Sequence, residues 1–260
     1  MKINRKVKKL LRSTATIFAS AGLLFLLLSA SREQAETPLN ERILIDINYG
    51  NGDYFVAPEE VEQLIIKELG KTLKQYTIAD IDLRHLEEKL SSNPYIRQAE
   101  VFADINGSLH VNIEQEKPIL RVINSSRVSY YISESGRKMP FSGKFTPRVA
   151  VATGAIEDNG KSRGGLEREG LKKLFDLASF IYHDPFMRAL VDEIIVRPDG
   201  EFELIPKIDN HSIRWGDLSE AKEKKEKLEL FYGKGIRKAG WQNYRQIDLR
   251  FKKQIVCKRR

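Results

Sequence analysis

The feature that most constrains this chain is the segment Ser13–Ser31, which contains no charged residue and centres on Leu23-Leu24-Phe25-Leu26-Leu27-Leu28. A helix rises 1.5 Å per residue, so a run of this length nearly matches a hydrocarbon core of roughly 30 Å. The twelve residues before it carry Lys2, Arg5, Lys6, Lys8, Lys9 and Arg12 and no acid, whereas Arg32, Glu33 and Glu36 on the other side nearly cancel. The positive-inside rule then holds the N-terminus in the cytoplasm and sends residues 32–260 across the membrane. A cleaved signal peptide is the competing reading, with Ser29 and Ser31 as a weak small-x-small site. The apolar run is long and lacks an Ala-x-Ala site, which favours an uncleaved single-pass anchor.

That topology changes the meaning of the charge. The 260 residues hold 44 Lys plus Arg against 36 Asp plus Glu, a formal +8. A basic average invites a nucleic-acid reading. The excess, however, sits in residues 1–12 and in residues 245–260, where seven bases face the single acid Asp248. The body between them is net acidic, so nothing in it draws the chain to DNA or RNA. Cys257 is the one cysteine. It excludes an intrachain disulfide and any cage built from several thiolates.

Beyond a linker at 32–41, Ile43, Ile45 and Ile47 alternate with Leu44, Asp46 and Asn48, the period of a strand. Pro58-Glu59-Glu60 opens a helix: proline fits the first turn, and acids there meet the positive end of the dipole. Val61, Leu64, Ile65 and Leu69 form its stripe and Gly70 ends it. A second helix starts near Asp82 with Leu83, Leu86 and Leu90 on one face and stops at Ser91-Ser92-Asn93-Pro94. Strands follow near Ile96–Ala103 and Ser108–Ile113, and Asn106-Gly107 between them predicts a two-residue type I′ turn. This strand–helix–helix–strand–strand order, with Asn93-Pro94-Tyr95-Ile96-Arg97-Gln98-Ala99-Glu100-Val101 between the second helix and second strand, resembles a POTRA domain over 42–115.

Residues 116–257 alternate strands and turns, flanked by helices. Val149 to Ala152 reads as a strand entering Gly154, and Asp158 to Gly165 as a polar loop. A helix is predicted from Leu166 to Tyr182, with Leu171, Leu174, Phe175, Ala178 and Ile181 facing inward. Pro198-Asp199-Gly200 turns a hairpin between Ile194–Arg197 and Glu201–Ile205. Leu218 to Gly233 reads as a charged helix whose Lys222–Lys227 run is solvated, and Ile247 to Cys257 as one final strand; 258–260 is a basic tail.

Glu116-Lys117-Pro118-Ile119, Tyr131-Ile132-Ser133-Glu134-Ser135-Gly136-Arg137, Ile213-Arg214-Trp215-Gly216, Lys225-Glu226-Lys227-Leu228 and Ile247-Asp248-Leu249-Arg250-Phe251 occur in that order. With them the chain resembles the bacterial FtsQ/DivIB cell-division family. The resemblance implies an α+β protein with one membrane helix, one POTRA domain and a following β domain. It implies a non-enzymatic inner-membrane divisome component at the septum, its body periplasmic. Implied partners are FtsB and FtsL, and FtsK near the POTRA domain. The alternative is a POTRA-bearing envelope chaperone or translocation component; against it stand the single POTRA candidate and the absence of a run of barrel strands.

No catalytic, cofactor or metal residue is predicted. Gly154 and Gly160-Lys161-Ser162 are separated by five residues where a phosphate loop needs four, and acids Glu157 and Asp158 lie between. A Gly-x-Ser-x-Gly elbow is missing, and His85, His110, His183 and His211 have no metal-ligand spacing. The candidate site is a partner surface. A terminal strand with a free edge can accept another strand. Tyr244, Arg245, Ile247, Leu249, Arg250, Phe251, Lys252, Lys253 and Ile255 are the candidate contacts, the bases attracting an acidic partner.

Overall fold

The computed structural model describes residues 21–24, 38–40, 42–50, 52, 54–70, 73–158, 166, 168–208, 210–235 and 243–260. Of the predicted membrane segment only residues 21–24 fall among these; they are helical and exposed, and the rest of the segment lies outside the described residues. Among the described residues no helix is long and apolar enough to cross a membrane.

The chain forms two compact units. The first takes the described residues up to Asn48 with Val56–Ser92 and Gln98–Glu114; the second takes Tyr49–Phe55, Asn93–Arg97 and Gln115–Arg260.

In the first unit β1 (Ile43–Asn48) pairs in parallel with β3 (Leu109–Gln115), and the sheet order is β1-β3-β2, with β2 at Ile96–Ala103. The helix α1 (Pro58–Leu69) starts where proline and Glu59-Glu60 predict, and Glu60 reaches back to accept from the Ala57 N–H at 3.2 Å. Val61 and Ile65 are its buried residues. Helix α2 (Leu83–Ser91) is capped by Asp82, which accepts from the His85 N–H at 2.9 Å, and buries Leu86 and Leu90.

The β2–β3 turn corrects the type I′ expectation. That turn needs positive φ at both central residues, but only Gly107 has it, at +77°. Asp104 overrides the Asn-Gly preference. Its carbonyl accepts from the Gly107 N–H at 3.0 Å, and its carboxylate accepts from the N–H groups of Asn106 (2.8 Å) and Ser108 (2.9 Å). The result is a longer turn with glycine in the left-handed position. A Cβ at 107 would also lie 2.2 Å from the Pro38 carbonyl oxygen, so the chain entering the unit is seated on this glycine.

The second unit is built on a nine-stranded sheet of order β12-β11-β10-β9-β8-β7-β4-β5-β6. Its strands are β4 (Pro118–Ile123), β5 (Ser129–Ser133), β6 (Lys138–Pro140), β7 (Ala150–Gly154), β8 (Val191–Val196), β9 (Phe202–Pro206), β10 (Ser212–Gly216), β11 (Tyr244–Asp248) and β12 (Val256–Arg259). The pairs β4/β7, β7/β8 and β10/β11 are parallel, and the rest antiparallel. Parallel neighbours need crossovers, and helices supply two of them. Helices α3 (Glu169–His183) and α4 (Pro185–Leu190) join β7 to β8, and α5 (Ala221–Leu230) with a π-helical turn (Phe231–Gly235) joins β10 to β11.

Register explains the core. Tyr130, Val122, Ala152, Ile194, Leu204, Ile213 and Ile247 are successive cross-strand partners and form one row on one face. All seven are buried and share a cluster with Leu171, Leu174, Leu177, Ala178 and Ile181 of α3, Met187 and Leu190 of α4, and Leu228 of α5. Burying a side chain of this kind contributes about 1.5–3 kcal/mol, so the row and its helical cover dominate the stability of the unit. Gly154 closes β7 because a Cβ there would meet the Val196 carbonyl oxygen at 2.2 Å, and its φ is +97°.

Two helix expectations shift. The helix predicted from Leu166 begins at Glu169, and Leu177 joins its buried face, with Phe175 half-buried and packed against the same core. A second helix follows directly: Asp184 accepts from the Met187 N–H at 2.9 Å and starts α4 at Pro185. The lysine run of α5 is not wholly solvated. Lys224 is buried, donates to the Asp217 carboxylate at 3.0 Å and lies 5.8 Å from the Trp215 ring centroid.

Candidate partner-docking site

The predicted single strand Ile247–Cys257 is broken. Its first residues end β11, the chain turns through 249–255, and Val256–Arg259 returns as β12. The last rung of the β10/β11 ladder and a lysine from α5 bracket the break. Leu249 is buried and donates its N–H to the Arg214 carbonyl at 3.0 Å. Lys227 on α5 donates from Nζ to the carbonyls of Leu249 (2.9 Å) and Phe251 (2.8 Å), holding the turn against the helix. Lys253 sits in the turn at φ +58°.

Each candidate residue therefore has a different position. Tyr244, Arg245 and Ile247 lie on β11, between β10 and β12. Ile247 faces the core; Tyr244 is half-buried, with its ring 6.0 Å from that of Phe231; Arg245 is exposed. Arg250, Phe251, Lys252 and Lys253 form the turn, and Ile255 packs on the core just before β12.

Among the described residues β12 has one sheet neighbour, β11, which leaves its other edge open. The Arg260 N–H is spent on the Asn243 carbonyl at 3.1 Å. By the alternation of an extended strand, Lys258 also turns its N–H to β11, and Cys257 and Arg259 turn theirs outward. Cys257 continues the buried row as the partner of Ile247, so Val256 and Lys258 project from the opposite face. Burial pushes the Cys257 thiol pKa up, which disfavours the reactive thiolate.

The bases are not equivalent. Arg250 donates to Asp248 from Nη2 (2.8 Å) and Nε (3.0 Å) and to Glu201 from Nη1 (3.2 Å). Burial tends to raise the Asp248 carboxyl, but the hydrogen bonds from Arg250 outweigh it and hold the group below its ordinary value. Lys252 pairs with Glu220 at 2.9 Å, which raises its pKa. Both are committed inside the chain.

Beside the turn lies a groove of about 470 Å³ lined by Lys227, Leu230, Phe231, Lys234, Gly235, Lys253, Gln254 and Ile255. Its floor is apolar and its charged lining residues are lysines. Sequence reasoning missed Leu230, Phe231 and Lys234 because they belong to α5 and the π turn. Their signal was the apolar Leu228-Glu229-Leu230-Phe231 end of an otherwise charged helix.

Residues 117–258, more than half of the chain, match the family model for FtsQ/DivIB, C-terminal related. The chain belongs to the FtsQ/DivIB family. Residues 40–114 match a POTRA-like domain. The chain is also similar to the cell division protein FtsQ of Rhodothermus marinus, 26% identical over 206 residues that cover 77% of this chain and 72% of that protein. The FtsQ/DivIB match contains the whole of the hairpin up to Lys258, so the open edge and its groove lie in the family's own domain.

Proposed function

We propose that this chain is a non-enzymatic, bitopic cell-division protein that scaffolds other divisome members in septum formation. Residues 1–12 are its cytoplasmic tail and 13–31 its inner-membrane anchor. The periplasmic body divides at 42–115 and 116–257. Family membership supports the process, and the open edge of β12 is the observation that carries the mechanism. A partner strand adds to β12 by main-chain hydrogen bonds, and its flanking residues enter the groove beside Leu230 and Ile255. FtsB and FtsL are the partners that family membership favours, with FtsK at the POTRA-like unit. The unpaired bases Lys253, Lys258 and Arg259 attract acidic side chains on the added strand.

Cys257→Pro tests this directly. Proline removes one outward N–H and is tolerated on an edge strand whose N–H faces solvent. Capture of the cognate FtsB–FtsL pair by the full chain should fall sharply, while emission from the buried Trp215 and the far-ultraviolet circular dichroism stay unchanged. Undiminished capture by a folded variant would sink strand addition.

A further inference from the structure

We propose that the β2–β3 end of the first unit contacts the outer surface of the membrane that anchors the chain, placing Ile105, Phe102 and Leu44 in the lipid headgroup region. The proposal rests on the membrane-anchored reading above.

The exposed face of the three-stranded sheet is sharply divided. Leu44 and His110 are cross-strand partners, and the His110 ring stacks on Phe102 with centroids 4.9 Å apart and planes at 4°. Leu44, His110 and Phe102 thus form one row across all three strands. Ile105 projects from the adjoining turn and is 73% exposed; Leu44 is 48% and Phe102 46% exposed. One register step further along, the same face becomes polar and acidic, with Asp46, Asn112, Asn48 and Glu114 paired across β1 and β3. The apolar residues are confined to one end.

That end is also where the chain arrives from the membrane segment. Asn40 donates its N–H to the Gly107 carbonyl at 2.8 Å and its side-chain amide to the Asn106 carbonyl at 3.2 Å. Only residues 32–37 separate the predicted anchor from Pro38. At no more than roughly 3.6 Å per residue, the turn is tethered within about 25 Å of the bilayer whatever path the linker takes. The carboxylate at the tip is turned into the turn's own hydrogen bonds. Asp104 accepts from two backbone N–H groups and pairs with His110 at 3.1 Å. The acids further along the sheet are repelled by anionic headgroups, so contact stops at the apolar row.

The test uses the full chain reconstituted into vesicles of phosphatidylethanolamine and phosphatidylglycerol, with an environment-sensitive fluorescent amino acid at position 105 or, as control, at the exposed Glu62 of α1. Flotation first establishes anchoring. The probe at 105 should then emit to the blue of the probe at 62 and be quenched by lipids bearing a nitroxide on the acyl chain. Combining Leu44→Ser with Phe102→Ser should return it to water-like emission in a chain that still floats. An anchored chain whose probe at 105 behaves like that at 62 overturns the proposal. So does shielding that tracks protein density and not nitroxide lipid, which would assign the patch to a second copy. A chain that fails to float instead overturns the anchored reading, and this proposal with it.

Discussion

Arg250→Ala separates a structural arginine from a partner-contacting one. In the wild type the guanidinium grips Asp248 through two bonds of 2.8 and 3.0 Å and reaches Glu201 at 3.2 Å. The Asp248 side chain is 13% exposed, so truncation leaves a largely buried carboxylate without the guanidinium that hydrogen-bonds it, with only the more distant Arg214 charge remaining. Charge-assisted bonds contribute about 1.5–3 kcal/mol, and the one-third exposure of Arg250 reduces that through solvent screening, so a loss of ~1–2 kcal/mol is expected. With a urea m-value of about 1.5–2 kcal/mol/M the midpoint should fall by roughly 0.5–1 M at unchanged m. Trp215, fully buried on β10 two strands from β12, reports the transition by its emission. The pH dependence has a definite sign. The Asp248 carboxyl is held below its ordinary 3.8, so its contribution is complete above that value and disappears as pH falls through the lower folded-state value. The gap between wild type and variant should therefore close in that acid window. A variant with wild-type midpoint and weakened partner capture would refute the reasoning and return Arg250 to the docking surface.

Two further outcomes follow from other parts of the second unit. Lys138 and Asp158 pair at 2.9 Å with side chains 4% and 8% exposed, so Lys138→Met should cost about 3–5 kcal/mol by removing the cation from a buried carboxylate, and adding Asp158→Leu should recover much of it in the same urea assay. The His183 pKa is raised by the Ser179 carbonyl and then by Glu134 at 2.9 Å; its contribution is complete below 6.5 and is lost as pH rises through the higher folded value, so proton NMR should place its midpoint above 6.5, and Glu134→Gln should lower it.

What was legible in the residues was local or periodic. Pro58 with its following acids, Asp82 ahead of a leucine stripe, and Pro198-Asp199-Gly200 between two alternating runs each carry their reason within a few positions, and the elements appear there. What was illegible depended on partners distant in sequence. Asn106-Gly107 favours a tight turn until the Asp104 carboxylate captures two N–H groups. The run Ile247–Cys257 reads as one strand because nothing local marks the break. The break is held by Lys227, from another element. Lys224 belongs to a charged run by composition, yet Asp217 and the Trp215 ring take it into the interior. The candidate contacts, read from one expected strand, fall on β11, on the turn and just before β12. Which of them face outward depended on the fold, and Arg250 and Lys252 proved to be occupied.

The two ends of the nine-stranded sheet show why a single edge suits strand addition. At one end β6 is three residues long, Lys138 and Met139 are buried, and Pro140 closes it, so it offers few outward donors. Short edges ending in proline are how sheets avoid unwanted pairing. At the other end β12 contains no proline and exposes Val256, Lys258 and Arg259. The same bases that would attract an acidic strand make two copies of β12 repel each other, because antiparallel pairing of identical edges sets lysine and arginine against lysine and arginine. An edge so composed discourages self-association without blocking a partner of opposite charge. Replacing Lys258 and Arg259 together with glutamate should then weaken capture of an acidic partner, and raising the salt concentration should have a smaller effect on that variant than on the wild type.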